Sequence, residues 1–232
     1  MKKDIVLLGD SHTRSYNFIT NLYPVFLGTG KNINLDDSNI ENTIRAINQV
    51  RGKLGTGCTF VTKLGEPNVR YQLNNDFSIH TDKSFKYTGN INHSYLDRCV
   101  ENYKNMIDSL GFISYVTSPT TALKYSFDSL KYFNNKLSEA FGDRFINIYS
   151  HTVEGNEFKN EYKAKDYNYD PIHLNSKVSD LFLSELSKKD KIYNLEYYKK
   201  LSGEFENKDV TTGALFGTGL AKNRFGTFTV KD

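Results

Sequence analysis

The sequence predicts an α/β fold: a parallel sheet covered by helices on both faces. Three observations carry this reading. Short apolar runs alternate along the chain with segments whose apolar residues recur at helical spacing. The residue types that carry chemistry follow the ends of those runs, which is where open α/β sheets bind ligands. They are Ser11 after the first run, residues 28–30 after the second, 65–70 after the third, 118–119 after the fourth and 170–173 after the fifth. The third observation is length, since 232 residues bury a sizeable core.

In chain order, residues 4–8, with Ile5-Val6-Leu7-Leu8 at their centre, form the first strand. Residues 13–22 read as a helix, and 24–27 as a short strand ending at Gly28-Thr29-Gly30. Ser38 is expected to cap a helix reaching about Lys53, with Ile40, Ile44, Ile47 and Val50 on one face. Residues 58–64 make the third strand. Residues 94–110 make a helix carrying Leu96, Val100, Tyr103 and Ile107 on one side. The fourth strand is 112–116, a helix spans 126–141, and the fifth strand is 145–149. Asn175 is expected to cap the last main helix, 176–187.

Two segments exceed a minimal domain. Residues 71–93 are long and polar, and read equally as a lid over the site or as a surface loop. Residues 203–232 intersperse Gly213, Gly217, Gly219 and Gly226 with Leu215, Phe216, Leu220, Phe225, Phe228 and Val230. Disordered tails seldom hold so many large apolar residues. The expected division is therefore a domain over 1–202 and an arm over 203–232 that packs on the domain or on a neighbouring subunit.

Lys and Arg number 30 against 27 Asp and Glu, a formal charge of +3, so no polyanion footprint is visible and no nucleic-acid partner is expected. No run is long and apolar enough for a membrane span. The apolar stretch after Met1-Lys2-Lys3 is too short for a secretory leader. Cys58 and Cys99 read as buried free thiols of a reducing compartment. The five histidines, His12, His80, His93, His151 and His173, show no ligand spacing, so no metal is expected. Gly28-Thr29-Gly30-Lys31 fails as a phosphate loop, because Val25 stands where the first Gly belongs and Asn32 where Ser or Thr belongs.

Gly9-Asp10-Ser11-His12 directly follows the first strand, and Asp170-Pro171-Ile172-His173 stands near the far end of the domain. A serine on a strand-to-helix turn, with an Asp and a His three residues apart downstream, is a candidate catalytic triad. A serine hydroxyl is a weak nucleophile until an imidazole takes its proton, and that imidazole needs a carboxylate to hold its tautomer. Ser11 would also suit a helix N-cap, but the paired downstream block favours the nucleophile. Asp10 reads as shaping the turn, and His12 as a packing or hydrogen-bonding residue.

These two blocks resemble those of the SGNH, or GDSL-like, hydrolase family, and the resemblance spans most of the chain. It implies Ser11 as nucleophile, His173 as base, Asp170 as its orienting partner, and no cofactor. The fold expected is a flavodoxin-like three-layer α/β/α domain plus the arm. The resemblance further implies three oxyanion donors: the Ser11 N–H, a glycine N–H after the second strand, and an Asn side chain after the third. Gly28 and Gly30 both suit the second position, and Gly30 is preferred. The third block departs from the family's Gly-x-Asn-Asp, reading Gly65-Glu66-Pro67-Asn68-Val69-Arg70. Pro67 offers no donor, so Asn68 is expected to replace it. Arg70, with Glu66, is a substrate-binding candidate: it holds an anionic group or pairs with Glu66.

The function expected is hydrolysis of an ester, with an acylated carbohydrate or small ester as substrate. An acyltransferase, with an alcohol replacing water, uses the same residues. The rival class is a structural or binding module, docked by its arm into a larger assembly such as a phage particle. The expected location is the cytoplasm, or a virion if the chain is phage-encoded.

Overall fold

Strand β1, Ile5–Gly9, is buried along its whole length, and Ile5 to Leu8 expose nothing. Its side chains alternate between two cores. Val6 and Leu8 enter one cluster, Ile5 and Leu7 the other. A strand reads as an unbroken apolar run only when both faces of its sheet are covered. Each such side chain contributes roughly 1.5–3 kcal/mol by leaving water.

The computed structural model describes residues 4–16, 19–28, 33–71, 91–121, 127–163, 173–190 and 195–198. Beside β1 lie β2 (Leu22–Phe26), β3 (Thr59–Lys63), β4 (Ile113–Thr117) and β5 (Phe145–Ile146). They form one all-parallel sheet in the order β2-β1-β3-β4-β5. This is the flavodoxin-like order, and the α/β class expected from the sequence is what the chain adopts. Helices α1 (Ile40–Leu54), α3 (His93–Leu110) and α4 (Phe127–Phe141) cover one face. Their Ile47, Val50, Tyr103, Ile107, Leu130 and Phe133 join the first core. The other face takes α6 (Val178–Lys189) through Phe182 and Leu186, together with Tyr16. Smaller elements are α2 (Glu66–Tyr71), α5 (Tyr149–Thr152) and the hairpin β6–β7 (Val153–Glu154, Glu157–Phe158). Among the described residues no helix is long and apolar enough to cross a membrane.

Several local expectations change. The helix expected over 13–22 is a 3₁₀ turn, Ser11–Tyr16, followed by β2 from Leu22. Asn21, at φ 63°, turns the chain into that strand, and its carbonyl accepts the Ile5 N–H at 3.0 Å. Pro24 lies inside β2, tolerated because β2 is an edge strand. Ser38 does not cap α1: its hydroxyl bonds Asp36, and the helix starts after Asn39. The helix expected from 94 starts at His93, capped by Asn92, whose side chain accepts the Tyr95 N–H at 3.1 Å. β5 stops at Ile146 because the Ser118 hydroxyl accepts the N–H groups of Ile148 and Tyr149, both at 2.9 Å, turning the chain into α5. Asn175 supports the turn ahead of α6, accepting the Lys177 N–H at 3.0 Å. Cys58 and Cys99 are both buried, and neither is in a disulfide. The arm over 203–232 and most of the segment 71–93 lie outside the described residues.

Candidate active site

β1 ends where no side chain fits. A Cβ on Gly9 would sit 2.2 Å from the Lys63 carbonyl oxygen and 2.8 Å from Thr13 Cγ2. The chain therefore turns at once. Buried Asp10 sets that turn: its carboxylate accepts the His12 N–H at 2.9 Å. Its carbonyl accepts the Thr13 N–H at 3.1 Å and the Thr13 hydroxyl at 2.9 Å. Asp10 shapes the turn, as expected, and the bonds leave Ser11 half-buried at the head of the 3₁₀ turn.

His173 arrives from the other end of the chain and is held there. Ser15, on the same turn as Ser11, donates to the Leu174 carbonyl at 2.7 Å. Leu174 also bridges to Lys163, and the Asn175 N–H donates to the Tyr162 carbonyl at 2.9 Å. The Asn175 amide donates to the carbonyls of Glu161 and Lys163 at 2.6 and 2.9 Å. So fixed, His173 Nε2 lies 2.8 Å from Ser11 Oγ. That is the contact a nucleophile–base pair requires. Asp170 and Gly30 lie outside the described residues. Gly28 is described: a Cβ there would meet Ile33 Cγ1 at 2.6 Å, and the neighbouring Leu27 N–H donates to the Gly9 carbonyl at 2.8 Å. The loop after β2 is thus bound to the end of β1.

The third block behaves differently from the expectation. Asn68 exposes nothing. Its Oδ1 accepts the Leu35 N–H at 3.1 Å, while Nδ2 donates to the Tyr95 hydroxyl at 3.0 Å and contacts Cys99 Sγ at 3.6 Å. The amide clamps the β2–α1 loop to α2 and α3, and these bonds, rather than an oxyanion, engage both of its donors. The reason lies in α2: one residue along a helix turns a side chain by about 100°, so a neighbour of Pro67 does not inherit its direction.

Glu66 and Arg70 do pair, four residues apart on α2, with Arg70 Nε 2.7 Å from Glu66 Oε1. Glu66 Oε2 lies 2.8 Å from His12 Nε2. Both are close charge contacts rather than well-aligned hydrogen bonds. Burial alone would push the Glu66 carboxyl up, but the Arg70 guanidinium, with the His12 ring N–H beside the other oxygen, outweighs it, and the group lies well below the usual carboxylate range. His12 in turn packs on His173, with ring centroids 4.7 Å apart and planes tilted by 38°.

Lys63 was invisible as a site residue in the sequence. It ends β3 in register with Gly9, is buried, and donates to the Ser118 carbonyl at 3.1 Å and the Thr120 hydroxyl at 3.2 Å. Burial pushes its ammonium down to about 8, against the pull of Asp10 and Glu66. A lysine closing an otherwise uncharged strand was the available signal. Among the described residues no group of three or more His, Cys, Asp or Glu side chains converges as a metal site would. A scan against protein-family models and searches of curated proteins and of solved structures give no match to this chain.

Proposed function

We propose that this chain is a serine ester hydrolase of the SGNH type. The observation that carries the reading is the 2.8 Å contact between Ser11 Oγ and His173 Nε2, at the carboxyl end of β1 in a parallel sheet. As Oγ attacks an acyl carbonyl, its proton passes to Nε2. The tetrahedral intermediate then expels the alcohol, which takes that proton, and leaves an acyl group on Ser11. Water repeats the sequence, losing a proton to His173, and the acid departs. Asp170 is the proposed orienting carboxylate. The backbone N–H groups of Ser11 and Gly30 are the proposed oxyanion donors, and Asn68 is left out because its amide is engaged elsewhere. The proposed substrate is an O-acyl group on a carbohydrate or a small alcohol, and an acceptor alcohol in place of water would make the same site an acyltransferase.

A fluorophosphonate probe tests this directly. Wild-type protein is expected to be labelled at Ser11, and Ser11→Ala to lose both labelling and hydrolysis of an aryl acetate with an unchanged circular dichroism spectrum. Undiminished hydrolysis in Ser11→Ala refutes the assignment. An unlabelled wild type favours the binding-module class instead.

A further inference from the structure

We propose that His12, anchored by Glu66, is a positioning residue for His173: its ring backs the face of the base and favours the proton His173 gains when Ser11 attacks. This rests on the hydrolase reading above, but concerns residues that the Ser–His–Asp scheme does not use. Three ionisable side chains, His12, Glu66 and Arg70, are 3%, 1% and 10% exposed. Taking such groups from water is costly, and well-packed apolar side chains of the same volume would often serve stability as well or better. Their use lies in what they touch. His12 is the one member stacked on His173, and Glu66 is what holds its outer edge.

The protonation logic follows from the distances. A bare nitrogen 2.8 Å from a carboxylate oxygen would set lone pair against lone pair, so His12 Nε2 carries a proton. Arg70, on the other oxygen, keeps Glu66 an anion and therefore a permanent acceptor. His12 is thereby held between Glu66 and His173, the two imidazole rings tilted by 38° with centroids 4.7 Å apart. An aromatic face near a cation is attractive, and the carboxylate behind it adds to that field.

The other charged groups around the pair come from three elements. Asp10 lies on the nucleophile turn, Lys63 at the end of β3, and Glu66 and Arg70 on α2. The formal charges of these four, two negative and two positive, cancel, as do those of Glu161 and Lys163 on the segment bonded to Leu174 and Asn175. His173 Nε2 faces Ser11 Oγ at 2.8 Å, the His12 ring lies against the imidazole at 4.7 Å between centroids, and Asp170 lies outside the described residues.

The experiment is an NMR titration of the histidine imidazoles in the full chain, with His173 assigned by substitution. His12→Gln keeps an amide donor for Glu66 and removes the ring. The His173 midpoint is expected to fall by about half a unit to one unit. The acid limb of the kcat/KM profile is expected to follow it downward, and fluorophosphonate labelling at neutral pH to slow. A midpoint within about 0.2 unit of wild type in folded His12→Gln overturns the proposal. If that variant does not fold, Glu66→Gln, which keeps an acceptor for His12 but no charge, decides by the same shift or its absence. Failure of the hydrolase reading shows separately, as a wild type that the probe does not label, while the titration still reports whether His12 governs His173.

Discussion

Replacing Asn68 with alanine is expected to damage the fold, not the chemical step. The substitution orphans the buried Leu35 N–H, which costs about 1–3 kcal/mol, and removes one neutral hydrogen bond to Tyr95, worth about 1 kcal/mol net. The Cys99 contact, at 3.6 Å to sulfur, adds little. The loss is then roughly 2–4 kcal/mol out of the 5–15 kcal/mol typical of a folded domain. At 2–4 °C per kcal/mol for a chain of this size, Tm falls by roughly 4–16 °C. Urea titration at constant m-value measures the first figure, and calorimetry the second. Turnover on an aryl ester, taken well below the transition, should change less than about threefold, because losing an oxyanion donor would cost on the order of 10²–10³ in kcat. A kcat reduced a hundredfold at unchanged stability would refute the argument and return Asn68 to the oxyanion site. Tyr95→Phe should reproduce part of the stability loss, and a double-mutant cycle should show the pair coupled.

Three further outcomes follow from the same contacts. Gly9→Ala must separate β1 from β3, since its Cβ would lie 2.2 Å from the Lys63 carbonyl oxygen; a loss of about 1–3 kcal/mol in urea is expected, with slower probe labelling of Ser11 as the turn shifts. Lys63→Met tests the buried amine. Its ammonium titrates near 8 in the folded state, below the value of about 10.4 expected when unfolded, so above about pH 8 the unfolded chain binds more protons and stability rises with pH. Relative to Lys63→Met, wild type should gain roughly 1–2 kcal/mol between about pH 8 and 9.5, since titrations common to both chains, that of Cys99 among them, cancel in the difference; parallel profiles would refute the assignment. Burial pushes the Cys99 thiol up to about 12, despite the Tyr95 hydroxyl, so maleimide should modify it only after denaturation, as mass spectrometry will read.

The sheet was legible because its strands are buried on both faces, which leaves unbroken runs such as Ile5 to Leu8 that no half-exposed element would show. The turn after β1 was not. Residues 13–22 have helical spacing, but Asp10 draws the Thr13 N–H into a three-residue bond and Asn21 reverses the chain through a left-handed conformation. Pattern counting sees neither. The two motifs drew attention to Ser11 and His173, which the structure brings together; Ser11 follows the end of β1, whereas His173 comes 27 positions after β5 ends at Ile146. The Glu66–Arg70 pair was foreseeable from its four-residue spacing on a helix. The contact of Glu66 with His12 joins two elements 54 positions apart, and nothing in the local pattern of either encodes it.

The bond from Ser15 to the Leu174 carbonyl also bears on how the protein is made. It joins positions 159 apart, and the Ser11–His173 contact beside it spans 162. β1 finds its sheet neighbours, β2 and β3, within the first 63 residues, so a growing chain can begin the sheet long before His173 has been synthesised. Closing so long a loop comes late and slowly relative to local pairing. On the proposed reading, a nascent chain therefore carries Ser11 without His173, and reactivity toward esters would appear only once the segment ahead of α6 has docked. Probe labelling of Ser11 during refolding would for that reason mark the final step of assembly rather than the formation of the sheet.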